Sequence, residues 1–127
     1  MQMFSAILAG FGSQLPDKRL TNDDLSKMVE TNDEWITQRT GIRERRIAAD
    51  GESTASLATA AARKAIASAG LEPADIELIV CATITPEMVF PSTACFVGAA
   101  LGLEPVPERP PAMPARWLVS AVLPWLL

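Results

Sequence analysis

Histidine is absent from all 127 residues. That gap excludes a Cys–His or Ser–His nucleophilic pair within the chain, since the usual general base is missing. Cysteine is nearly absent as well: Cys81 and Cys95 are too few for a disulfide framework or a metal cluster. Positive charge is in the minority, with 11 Lys and Arg against 15 Asp and Glu, a net charge of −4. Such a balance argues against nucleic acid as a partner, because phosphate binding needs clustered cations. The opening MQMFSAILAGFG lacks a charged-then-apolar leader with a cleavage site, so a cytoplasmic, reducing compartment is expected. Long apolar runs are missing too. Trp117–Leu127 falls short of the roughly 20 residues that span a bilayer, and Pro124 interrupts it, so no membrane partner is expected.

What is present describes a globular chain. Hydrophobic residues make up 49% and charged residues 20%, enough for one domain with a real core but not comfortably for two. Phe4 to Phe11 reads FSAILAGF, an apolar run closed by Gly12 and Ser13, and predicts a first strand. Thr21-Asn22-Asp23-Asp24 supplies capping oxygens for a helix whose apolar face would hold Leu25, Met28 and Val29. Thr31-Asn32-Asp33-Glu34 is a second start signal and opens a short helix bearing Trp35 and Ile36. STASLATAAARKAIASAG is an alanine-filled helix that Ser53 or Thr54 can cap and Gly70 ends. Ile76 to Thr83 is a nearly continuous apolar strand, of the kind covered on both faces in an α/β sheet. Pro91-Ser92-Thr93 begins a further helix that runs towards Gly102. This order of elements predicts an α/β fold with crossover connections.

The run Arg43, Glu44, Arg45, Arg46 reads either as a solvated face or as a small basic patch. Trp35, on its residues alone, reads as a half-buried aromatic packed under the following loop.

TNDEWITQRTGIRERRI, Thr31 to Ile47, resembles the N-terminal signature of the bacterial β-ketoacyl-acyl-carrier-protein synthase III family. The likeness continues through the alanine-rich helix, ELIVCATITP and FPSTACFVGAALGL, and covers roughly residues 3–107. It implies an incomplete N-terminal half of a thiolase-like fold over residues 1–107. It also implies an acyltransferase of fatty acid biosynthesis that condenses acetyl-coenzyme A with malonyl-acyl carrier protein and works as a homodimer. The coenzyme A thioester would be a substrate; no covalently bound cofactor and no metal are implied.

The resemblance assigns roles to particular residues. Trp35 would pack against the adenine of coenzyme A, with Arg39 on its other side engaging the nucleotide and Thr31 and Thr40 beside the same ligand. An indole and a guanidinium offer flat faces to a purine, and the guanidinium also attracts phosphate. Arg43 and Arg45 would hold the mouth of the site or pair with Glu44 and Asp50, without a catalytic role. Phe90 would cross a dimer interface to line the partner's acyl pocket; the alternative is an ordinary core aromatic. Cys95 and Cys81 would be packing residues.

The likeness stops at Pro107. The family continues with roughly A-F-D-x-x-x-A-C-x-G-F, and an ungapped count puts the nucleophilic cysteine's place on Ala115. Residues 108–127, ERPPAMPARWLVSAVLPWLL, hold four prolines and two tryptophans without a coherent pattern. Pro110, Pro111 and Pro114 argue against a helix or central strand there. This segment is expected to be an aberrant tail, frameshifted or disordered; a selected, shortened protein is the rival reading. The chain would then be inactive in condensation, or serve as a non-catalytic coenzyme A-binding or subunit-interaction fragment. Apolar faces meant for burial would stand open and lower its solubility.

Overall fold

The computed structural model describes residues 7–103 and the backbone of residues 117–121. Ala115 and most of the 108–127 segment lie outside the described residues. Two units are separable. One comprises the described residues of 7–14 and 54–103 together with Trp117–Ala121; the other is Leu15–Ser53.

In the first unit the architecture is a short parallel sheet with helices packed on it. We label the elements in chain order: β1 (Lys18–Thr21), α1 (Asn22–Ser26), α2 (Asp33–Thr40), β2 (Glu44–Ile47), α3 (Thr54–Ser68), β3 (Leu78–Ala82), α4 (Thr93–Leu101) and β4 (Trp117–Ala121). On α3, Ala58, Ala62 and Ile66 recur every four residues and form one buried stripe. Together with Ile76, and with Val97 and Leu101 of α4, they make the core, against which Ile79 of β3 and Leu103 pack. Beside that stripe, Ala61, Ala65 and Ala69 form a second line of alanines that lets another segment approach closely. The extended segment before Gln14 uses this: a Cβ on Gly10 would lie 2.6 Å from the Ala65 carbonyl oxygen, and one on Gly12 would lie 2.5 Å from that of Ala61. Only glycine fits there.

Three sequence expectations change here. Ile7–Phe11 form no strand, and Ile7, Leu8 and Phe11 are largely exposed; an apolar run alone does not supply a ladder partner. β3 is not covered on both faces: Ile79 and Cys81 are partly buried, whereas Leu78 and Val80 are exposed by 45% and 42%. The segment read as patternless contains β4, which pairs in parallel with β3 from Leu78↔Trp117 to Ala82↔Ala121. Its prolines flank the WLVSA stretch without entering it, so the ladder loses no N–H donor.

In the second unit, β1 and β2 pair antiparallel, with Lys18 opposite Ile47 and Thr21 opposite Glu44. α1 is shorter than its apolar pattern suggests, and Met28 and Val29 lie beyond it, exposed. Thr21 caps α1 in a reciprocal box: its hydroxyl accepts the Asp24 N–H at 3.1 Å, and the Asp24 carboxylate accepts the Thr21 N–H at 3.3 Å.

Candidate functional site

The helix that displays the predicted nucleotide-facing residues is α2, and its ends are well specified. The Asn32 side chain accepts the Trp35 N–H at 2.8 Å, and Asp33 and Glu34 in the first turn complement the helix dipole. At the other end Gly41 takes φ +71°, a left-handed conformation that side chains resist, and donates its N–H to the Thr37 carbonyl. Ile36 is the buried residue of α2.

With Ile36 turned inward, Trp35 and Arg39 share an outer stripe one turn apart. Trp35 is 53% exposed. The Arg39 guanidinium carbon lies 5.2 Å from the centroid of the indole, within cation–π range. An open hollow of about 240 Å³ adjoins the indole, lined by Glu30, Thr31, Asn32 and Trp35. Thr31 and Trp35 therefore share one wall, and Arg39 joins them through the stack. Thr40 is engaged otherwise: its hydroxyl donates to the Ile36 carbonyl at 2.8 Å and accepts the Ile42 N–H at 3.1 Å. In this arrangement no slot for a purine stands open between Trp35 and Arg39, since the guanidinium already occupies one face of the indole.

The neighbouring arginines divide their work. Arg45 donates to the Asn22 side chain, whereas Arg19 and Arg46 take Glu44, at 3.2 and 3.7 Å. Arg43 is exposed. Arg46 also donates to the Pro16 carbonyl at 3.0 Å. Sequence reasoning missed Glu30, which carried no motif, and Asn22, which passed as one more capping residue.

Phe90, in the other unit, is 85% exposed and so is no core aromatic of this chain. The loop that carries it is anchored by Glu87, whose carboxylate accepts the Thr93 hydroxyl at 3.0 Å and the Ala55 backbone N–H, joining the first turns of α4 and α3. Cys95 is the third residue of α4 and exposed, with its sulfur 3.4 Å from the Ser92 hydroxyl, so it is not the packing residue expected. Cys81 is partly buried; that burial, and then the nearby Glu87 charge, pushes its thiol pKa up. Among the described residues no group of three or more His, Cys, Asp or Glu is placed to hold a metal ion. Among them, too, no helix is long and apolar enough to cross a membrane.

Comparison with known proteins decides the family. The β-ketoacyl-acyl-carrier-protein synthase III of Thiobacillus denitrificans is 60% identical over 100 residues, which is 79% of this chain and 31% of that protein. The chain belongs to the β-ketoacyl-acyl-carrier-protein synthase III family. The synthase III of Caldanaerobacter subterraneus subsp. tengcongensis is 55% identical over 101 residues, covering 80% of this chain and 30% of the relative. The crystal structure of 3-oxoacyl-acyl-carrier-protein synthase III from Aquifex aeolicus superposes with a TM-score of 0.70 at 45% identity, over 90% of this chain and 34% of that one. The fold is accordingly part of the thiolase-like α/β architecture, and the chain spans about a third of the length of the synthases it matches. No protein-family model matches it.

Proposed function

We propose that α2 and its hollow form a coenzyme A-facing edge of a synthase III, the cytoplasmic enzyme that condenses acetyl-coenzyme A with malonyl-acyl carrier protein. The observation that carries this is the Trp35–Arg39 stack, half-exposed at the rim of a hollow on a synthase III helix. The open face of the indole takes the adenine, and Arg39 turns its charge towards phosphate. Glu30, Asp33 and Glu34 at the N-terminal end of α2 repel phosphate, so the diphosphate runs towards Arg39 and Arg43. Thr31 lines the base's side of the site, and Thr40 serves by holding the helix end.

In the condensation a cysteine thiolate takes the acetyl group from the thioester, and histidine with asparagine supports decarboxylation and the developing oxyanion. No residue of this chain is assigned those steps, and the histidine must come from polypeptide outside these 127 residues. By itself the chain binds coenzyme A without turnover. A titration monitored by Trp35 emission, with Trp117 and Trp125 replaced by Phe, tests this. Saturable quenching is expected; no change up to millimolar coenzyme A overturns the reading.

The exposed loop favours a second role in subunit association. Ile84, Val89 and Phe90 are 74%, 98% and 85% exposed, and a homodimeric synthase would cover such a surface. An intact synthase III subunit should capture the chain, and Phe90→Asp should abolish the capture; equal capture of both sinks this role.

A further inference from the structure

Asn22, in the Leu15–Ser53 unit, has a buried side chain held on every side. It is 1% exposed, and every polar group of its amide is engaged with a different part of the chain. Nδ2 donates to the Asp33 carboxylate at 2.7 Å and to the Ile42 carbonyl at 2.8 Å, while Oδ1 accepts from Arg45 Nη1 at 2.5 Å. Its backbone N–H donates to the Arg43 carbonyl at 3.3 Å. Asp33 is the first residue of α2, and Ile42 lies just past its last, Thr40. One planar amide therefore grips both ends of the helix, and Arg45 fixes that amide from β2.

We propose that Asn22 is a positioning residue for nucleotide binding: it sets the placement of α2, and with it Trp35 and Arg39 at the hollow. This rests on the coenzyme A reading. The Asn32 cap and Gly41 specify that α2 is a helix; neither ties it to β1 or β2. The Asn22 amide makes that tie, and few side chains can replace it. Aspartate cannot donate and would set a second carboxylate beside Asp33. Alanine removes the shared donor: exposed Asp33 and the half-buried Ile42 carbonyl can turn to water, but nothing then joins the two ends of α2 to one amide.

The test uses the full chain with coenzyme A as the probe, read by Trp35 emission, alongside amide hydrogen exchange. Asn22→Ala and Asn22→Asp should each weaken binding about tenfold or more and release the α2 amides, while α3 and α4 keep their protection. The double variant Asn22→Asp with Asp33→Asn restores the Asn22–Asp33 pair with donor and acceptor exchanged but leaves the Ile42 carbonyl without its donor. It should therefore recover part of the affinity, about threefold or more over Asn22→Asp, without reaching the unaltered chain. Wild-type affinity in Asn22→Ala overturns the proposal, as does a double variant no better than Asn22→Asp. If Asn22→Ala also loses β1–β2 protection, the exchanged pair decides instead. If the unaltered chain fails to bind coenzyme A, the functional reading falls separately. Exchange at α2 and Trp35 emission then decide for Asn22, and an unchanged pattern in Asn22→Ala overturns its role.

Discussion

Arg39 covers one face of the Trp35 indole and leaves the other to solvent, four residues and one helical turn apart on α2. Both side chains are displayed rather than buried, so their removal should cost recognition more than stability. Trp35→Ala is expected to shift unfolding free energy by only about 0.5–1 kcal/mol, the worth of the stack it breaks. It should weaken coenzyme A binding about tenfold or more, in line with the loss of an aromatic anchor. A double-mutant cycle with Arg39→Ala should return a coupling of about 0.5–1 kcal/mol for the stack, measured by chemical denaturation.

The capping box of α1 should respond to acid in a defined direction. Asp24 is held down to about 2, chiefly by its hydrogen bond from Lys27 and then by those from Thr21. A carboxylate with a depressed folded-state pKa adds stability that is in full effect above its unfolded value near 4 and lost as pH falls towards 2. Lys27→Met should therefore raise the Asp24 midpoint more than Thr21→Ala does, in a carboxyl-carbon NMR titration. The opposite ranking would contradict the assigned cause.

Gly10 and Gly12 should tolerate no side chain. Alanine at Gly10 drives its methyl into the Ala65 carbonyl and the Ala69 backbone nitrogen, at 2.6 and 2.7 Å. The expected loss is about 1–3 kcal/mol, the common cost of overpacking, read as a lower urea midpoint. Gly51 has open space around its α-carbon but a φ of +87°, so Gly51→Ala tests backbone strain alone.

The two thiols should separate cleanly under alkylation. Cys95 is exposed, whereas Cys81 is partly buried and its pKa is raised, which lowers its thiolate fraction at mildly alkaline pH. Iodoacetamide at pH 8 should label Cys95 several-fold faster, as peptide mass spectrometry would quantify. Equal rates would mean that β3 opens readily.

Much of this was legible in the chain itself. The Asn32 cap, the α2 residues Trp35 and Ile36, the alanine stripe of α3 and the strand at Leu78–Ala82 all follow from local patterning, because capping and periodicity act over one or two turns. The pairing of β1 with β2 was not, since KRLT and ERRI carry no apolar alternation and meet across an intervening helical segment. β4 escaped because nearby prolines masked a five-residue strand. Asn22 escaped for a related reason: its partners lie 11, 20 and 23 residues away, and no local rule reports such distances. The hollow at Trp35 was half legible. Thr31 and Trp35 carried the family motif, whereas Glu30 joined them only through the fold.

The Leu15–Ser53 unit has Ile36 as its buried large hydrophobic residue among those described, beside a buried Asn22. Oil contributes little there; directional bonds contribute most. Heat capacity and denaturant slope both track the apolar area exposed on opening, so this unit should open with small values of each. Cold should spare it while it loosens the aliphatic core of the other unit, since hydrophobic stabilisation fades on cooling and hydrogen bonds do not depend on it. On the coenzyme A reading proposed above, polar contacts that open with little exposed apolar area would let the Leu15–Ser53 unit adjust locally as a bulky nucleotide arrives.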